Sequence, residues 1–404
     1  MSALRKPIET KLIGAAILVV FTVATSVLSF PGELDLSFGT NGVVTDGIGY
    51  RSFPRRMVSL PTRMTLVIGY YEVPTILPSG IQKRLLIRQY TGTGELHRTY
   101  GSGINGEAYA AAMQADGKLM VLGEAPNTIQ NGVFGPLATT SPAVWRFKSD
   151  GTLDRGFGTN GVVVIDQMAT NAVSTNEIGV SNGQAFISYA SRSTSHDVYR
   201  FRVSRLSEAG AIDFTVTPPF LFDTSDPGVV MQLTERGQIY VAGQNQTTQN
   251  SVIRRYTRDG AVASMGLNGE AVIPDCGNPE VRPKDLVIQP DGKLLVLRID
   301  GIQGPLTITR QNGTGANDQV FQCIGYPNMP AAVGKEISLQ PDGKFFFTWG
   351  FTNGSLRFNP DGSFNEPIAV TSGTSTVQDD QKFVKVRAVY PAYTSLEIER
   401  RFLD

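Results

Sequence analysis

The stretch GTLDRGFGTNGVV (151–163) decides the fold, because the stretch GELDLSFGTNGVV (32–44) repeats it at the other end of a broken pattern. The first copy closes a complete unit. In that unit a run ends in Asp116-Gly117-Lys118 and restarts as LMVLG (119–123); a second run, AVWRF (143–147), then reaches Asp150-Gly151. The unit recurs along the chain, with its first tight turn at Thr62, Asp116, Asn182, Arg236, Asp291, Asp342 and Asp380. The last copy runs VQDDQKFVKV (377–386) and SLEIERRFLD (395–404), then stops where earlier copies turn at Gly and continue. An open solenoid has no reason to begin with the fragment its final repeat lacks. A ring does, since the N-terminal strand can pair the exposed edge of the last blade.

The flanks of each turn are strands. DLVIQ (285–289) and LLVLR (294–298) are short, apolar and β-branched, and turn residues bound them. Gly117, Gly183, Gly237, Gly292 and Gly343 occupy the turns, where a two-residue hairpin of the primed type needs positive φ. These are structural positions. The sequence therefore predicts an all-β, seven-bladed β-propeller over 30–404, its final blade closed by the N-terminal strand. With 43 Gly, 23 Pro and 18% charged residues, the composition suits turns rather than long helices.

A second hairpin in each unit places an Arg five residues before a turn Gly, at Arg146, Arg205, Arg255, Arg310 and Arg357, with Gln89 as the weaker copy. Three residues after that Gly comes Asp154, Asp213 or Asn365. Residues on paired strands can meet across the ladder, so a recurring structural ion pair is expected rather than a ligand site.

The pattern of Asp-Gly-Lys, Arg-aromatic, Asp-Gly and LDxxFGxxG, clearest at 113–163, resembles the delta-60 repeat family of bacterial β-propellers. The resemblance covers nearly all of 32–404, although AIDFTVT (211–217) and ANDQVFQ (316–322) have lost the Phe-Gly. It implies a propeller and frequent secretion. It implies no shared activity, so it carries over no catalytic residues.

Residues 1–29 read as a signal peptide: Arg5, Lys6 and Lys11 precede an uncharged run from Leu12 to Phe30, with cleavage expected after Ser29. The run is long enough to span a bilayer, so an N-terminal anchor is the second reading, and only then would the protein contact a membrane. Either way the propeller is expected outside the cytoplasm, secreted, periplasmic or on the cell surface. In such a compartment Cys276 and Cys323, the only cysteines, could form a disulfide.

Catalytic motifs are missing: there is no GxSxG elbow, HExxH or Walker loop, and GSGING (101–106) is a repeat turn with no helix behind it. His97, His196 and the acid pairs Asp223/Asp226 and Asp379/Asp380 read as surface residues, and no cofactor or metal set is expected. Lys and Arg balance Asp and Glu at 36 each with no basic stripe, which argues against nucleic acid. Trp145 and Trp349 lie in strand runs and read as core. What departs from the repeat is 71–82, 124–142 and 191–197, all between second and third strands and so on one rim, where an unknown protein or glycan partner would bind. The function expected is a non-catalytic binding or scaffolding module. The alternative is a polysaccharide-processing or hydrolytic enzyme with carboxylates around the central channel.

Overall fold

The computed structural model describes residues 33–403, except 76–79, 127–129, 133–134, 138–139, 166–176, 193–198, 221–227, 275–281, 300–305, 322, 327–335, 350–353, 369–373, 379, 381 and 390–391. The leader, His196, Cys276, Asp223, Asp226 and Asp379 therefore lie outside the described residues, as does the side chain of Trp349.

Seven four-stranded antiparallel sheets follow one another along the chain. Blade 1 is Arg51–Leu60, Met64–Pro74, Ile81–Tyr90 and Leu96–Thr99; blade 2 is Glu107–Met113, Leu119–Pro126, Thr140–Phe147 and Val162–Val164. Blades 3 to 6 begin at Ile178–Ser181, Val230–Leu233, Arg282–Ile288 and Glu336–Leu339. Blade 7 holds Thr374–Val377, Phe383–Ala388 and Ser395–Arg401, and its fourth strand is Val43–Gly47, registered Val43↔Glu399 through Gly47↔Ser395. The first strand of every blade touches the first strands of both neighbours, blade 7 meeting blade 1, so the first strands surround a central channel. This is a seven-bladed β-propeller.

The core is distributed. Each junction between blades carries its own apolar cluster, because a twisted sheet buries both faces against its neighbours. Trp145, in the third strand of blade 2, fills the junction with blade 1. Phe38, from the N-terminal motif, packs with Val384 and Ile398 of blade 7 and Val67 and Leu86 of blade 1.

The turn glycines all have positive φ, from 74° at Gly183 to 85° at Gly343. The turn type differs from the primed hairpin expected. At 114–118 the Gly117 N–H donates to the Gln114 carbonyl (2.9 Å) and the Gln114 N–H to the Lys118 carbonyl (2.7 Å), while Asp116 keeps negative φ. That is a type I turn closed by a left-handed glycine, and the same bonds recur at Gly237, Gly292 and Gly343. At three of these turns an Asp carboxylate supports the form, Asp116 accepting the Lys118 N–H (3.1 Å) as Asp291 and Asp342 do in theirs, while the turn at Arg236-Gly237 takes the same form without a carboxylate. Among the described turns between first and second strands, only Asn182-Gly183, with both residues at positive φ, keeps the two-residue primed form.

Substituting Gly117 by Val should therefore cost about 1–3 kcal/mol through the backbone alone, since a Cβ there meets nothing closer than Ser149 at 3.4 Å. Lys118→Ala removes only a pair with the exposed Asp116 and should cost under about 1 kcal/mol. Equal losses in urea melts would show the turn is wrongly assigned.

Candidate functional site: the central channel

The recurring Arg–Asp pairs are structural, and they reach further than one blade. Arg146 bonds Asp154 (2.8 Å), lies 4.6 Å over the Phe157 ring, and donates to the Glu208 carbonyl of blade 3. Arg205 pairs with Asp213 (3.1 Å), stacks on Phe214 and reaches the Arg258 carbonyl of blade 4 (2.9 Å). Arg310 does the same with Asp318, Phe321 and the Pro360 carbonyl of blade 6. Both units that lost Phe-Gly thus keep the ring. A further copy escaped the sequence pattern: Arg400 in blade 7 takes Asp35 (2.5 Å), the Phe38 ring and the Gly92 carbonyl of blade 1.

Two positions depart from this scheme. Arg255 stacks on Tyr240, but Ala263 now donates its N–H to the Arg255 carbonyl as Asp154 does to that of Arg146, so no carboxylate is there to pair. Asn365 bonds Asn359 instead of Arg357, and Arg357 uses Gln340 (2.9 Å) and the Leu403 carbonyl.

The other sequence candidates scatter. His97 is exposed on the outer strand of blade 1. Asp380 lies 3.6 Å from Arg63 and 3.7 Å from Lys382 at the first turn of blade 7. Cys323 is half of a disulfide, while Cys276 lies outside the described residues. Of the rim segments, 71–82 extends the hairpin of blade 1, with Pro74 paired to Ile81, so 71–74 and 81–82 are strand rather than loop. Within 124–142, Glu124 to Pro126 pair with Thr140 to Pro142, and Gln130–Gly132 pairs with Gly135–Leu137 as a small separate hairpin. These are arms on the second-to-third-strand face, where a rim surface was expected. The tip of 191–197 lies outside the described residues.

Chemistry gathers instead in the channel. A cavity of 190 Å³ opens between first strands, lined by Arg56 and Met57 of blade 1, Gln232 of blade 4, Asp285 and Val287 of blade 5, Glu336 to Leu339 of blade 6 and Ser375 to Val377 of blade 7. Glu177, entering blade 3, bonds Arg56 (2.6 Å) and holds its guanidinium firmly protonated. Asp285 accepts the Leu286 N–H at one oxygen (2.8 Å) and the Ile337 N–H at the other (2.6 Å). Burial pushes the Asp285 carboxyl up to about 6 against those bonds, and pushes Glu336 up to about 7. Ser375 is 5% exposed, borders the cavity, and its hydroxyl makes no hydrogen bond among the described residues.

A neighbouring network is closed by comparison. Glu107 is held by Arg55 and Lys83, each at 2.6 Å, and Glu124 opposite it accepts from Thr140 (2.7 Å). Every one of these carboxylates already has a partner.

A single register position supplies the channel group. Arg56, Ala110, Val230, Asp285 and Glu336 each stand six residues before the turn residue of their blade, and Glu177 is the equivalent in blade 3, whose turn is one residue shorter. Charges in a column that otherwise reads Ala110, Val230 and, in blade 7, Thr374 were the signal available in the sequence.

No family model matches the chain, and no curated protein does. Solved structures do. A streptogramin B lyase is 13% identical over 89% of this chain and 98% of its own, with a TM-score of 0.53. A virginiamycin B lyase from Staphylococcus aureus with quinupristin gives 14%, 88%, 98% and 0.53. Hydrazine synthase of Kuenenia stuttgartiensis gives 11%, 89%, 97% and 0.53. At such identity the likeness is one of fold alone.

Proposed function

We propose that this chain is an exported binding module that holds a small polar ligand in its central channel. One observation carries the reading: the 190 Å³ cavity has charged groups from three blades and an unbonded serine hydroxyl on its wall. Concave sites with a few convergent polar groups are where propellers, like other scaffolds, take ligands. Export is supported by the charged and apolar leader and by the Cys323 disulfide, which suits an oxidising compartment. The hairpin arms at 71–82 and 124–142 would face a protein or glycan partner on the same side as the entries to the first strands. The N-terminal segment serves as the clasp of the ring, a role supported by its strand pairing and by Asp35 and Phe38 against Arg400.

The test is a thermal-shift screen of small polar compounds against the wild-type protein and Ser375→Leu, which fills the cavity from its wall. Hits lost in a variant that still folds support the channel; a screen whose hits are all indifferent to Ser375→Leu sinks the reading.

An enzymatic reading has one observation in its favour, the pair Asp285 and Glu336, whose proton affinities suit acid–base work near neutral pH. Loss of hydrolysis of chromogenic glycosides on Glu336→Gln would support it. Lyase chemistry has less support. A virginiamycin B lyase variant with one histidine replaced by alanine is catalytically inactive; here His97 stands on an outer strand, away from the channel wall, and His196 lies outside the described residues.

A further inference from the structure

Resting on the channel reading, we infer that the ligand is a small organic cation, an amine or guanidine, and that it binds by displacing a proton from Glu336. The charges facing Glu336 are Arg56, Glu177 and Asp285. Arg56 and Glu177 neutralise each other through their 2.6 Å pair. Asp285 and Glu336 are then two carboxyl groups with no cation of their own. Asp285 is fixed by its two backbone donors, and each of its oxygens retains acceptor capacity. Glu336 forms no hydrogen bond or ion pair among the described residues and borders the cavity.

Burying an unpaired carboxylate is costly, so Glu336 keeps a proton part of the time; a cation beside it would remove that cost. A neutral polyol would leave the charge unpaired, and an anion would add to it. Among the described residues no three His, Cys, Asp or Glu side chains converge as metal ligands. Calcium would want about six to eight oxygens. An organic cation needs fewer. It can set its charge between Asp285 and Glu336, donate to the Ser375 hydroxyl, and lay methylenes against Met57, Val287 and Leu339. A dry cavity of about 150 Å³ holds benzene, so the 190 Å³ available here suits about six to ten non-hydrogen atoms.

The proton balance is simple. The ligand arrives as an ammonium or guanidinium, the Glu336 carboxyl loses its proton to solvent, and an ion pair remains. Affinity must rise with pH, because the ionised carboxylate is the binding form. With Glu336 titrating at about 7, the rise between pH 6 and pH 8 should be about tenfold.

The test is titration calorimetry of the folded protein with 1,4-diaminobutane, butylguanidinium, butane-1,4-diol, succinate and calcium chloride, at pH 6 to 8 and in two buffers of different ionisation enthalpy. The expected result is binding of a cation, about tenfold tighter at pH 8, with proton release, and none by the diol, succinate or calcium. Glu336→Gln should weaken the cation at pH 8 and flatten its pH profile while the protein stays folded, with a melting midpoint at pH 8 no lower than that of the wild type, and Ser375→Leu should abolish binding. Preference for the diol, succinate or calcium overturns the cation inference but leaves the channel reading standing if Ser375→Leu still abolishes it. Cation affinity independent of pH, cation binding that survives both substitutions, or no binding by either cation overturns the inference. The broader screen with Ser375→Leu judges the channel reading separately.

Discussion

Removal of residues 33–47 is expected to give a protein that aggregates and melts far below the intact chain. The segment supplies the outer strand of blade 7, the buried Phe38 ring and the Asp35 carboxylate on Arg400. Burying Phe38 is worth about 2–3 kcal/mol, and stranding the Arg400 charge costs about 3–5 kcal/mol. Together these approach the whole stability of an ordinary domain, about 5–15 kcal/mol. The Ser395–Arg401 strand would also become an unpaired edge, a template for association. Size-exclusion chromatography and a melting curve decide it; a truncated protein that stays monomeric with an unchanged midpoint refutes the clasp.

The clasp should also resist acid. Burial pushes the Asp35 carboxyl up, but hydrogen bonds from Lys382 and Ser37 and the charge of Arg400 outweigh it and hold it at about 2. A carboxylate depressed in the folded state contributes stability above its ordinary value near 3.8, and that contribution is lost only as pH falls through about 2. Asp285 and Glu336 act oppositely. Their raised values favour the folded state at low pH, and the favour fades as pH rises through 6 and 7.

Arg146→Leu is expected to cost about 3–5 kcal/mol, far more than a surface ion pair would. Arg146 is 6% exposed and Asp154 is 8% exposed, so the substitution leaves a carboxylate and the Glu208 carbonyl without their donor. Arg146→Lys should recover only part, since an ammonium cannot bond Asp154 and reach blade 3 as a planar fork does while lying on Phe157. Denaturant titration measures it. A loss under about 1 kcal/mol would mean the Arg–Asp–Phe groups do not hold the blades together.

Much of the architecture was readable because its determinants are local. A left-handed turn position wants glycine whatever surrounds it, so Gly117, Gly237, Gly292 and Gly343 marked the blades; the turn type differs from the primed form because only the glycine takes positive φ in a loop one residue longer, after Arg236 as after Asp116. The Arg–Asp pairs were readable for the same reason, lying eight residues apart on paired strands as in Arg146 and Asp154. Arg400 was missed because its partner is at the far end of the chain, 365 residues from Asp35 in sequence though 2.5 Å in space.

Repeat period, strand identity and the reunion of 32–44 with the last unit belong to the linear chain, for each follows from neighbours along it or from a motif cut in two. The channel belongs to the tertiary structure. Arg56, Asp285 and Glu336 are charged residues in separate strands until the first strands form a ring. Only that curvature turns one register position, repeated blade by blade, into a single cavity wall, and only burial there sets apart two carboxyls from the many others in the sequence.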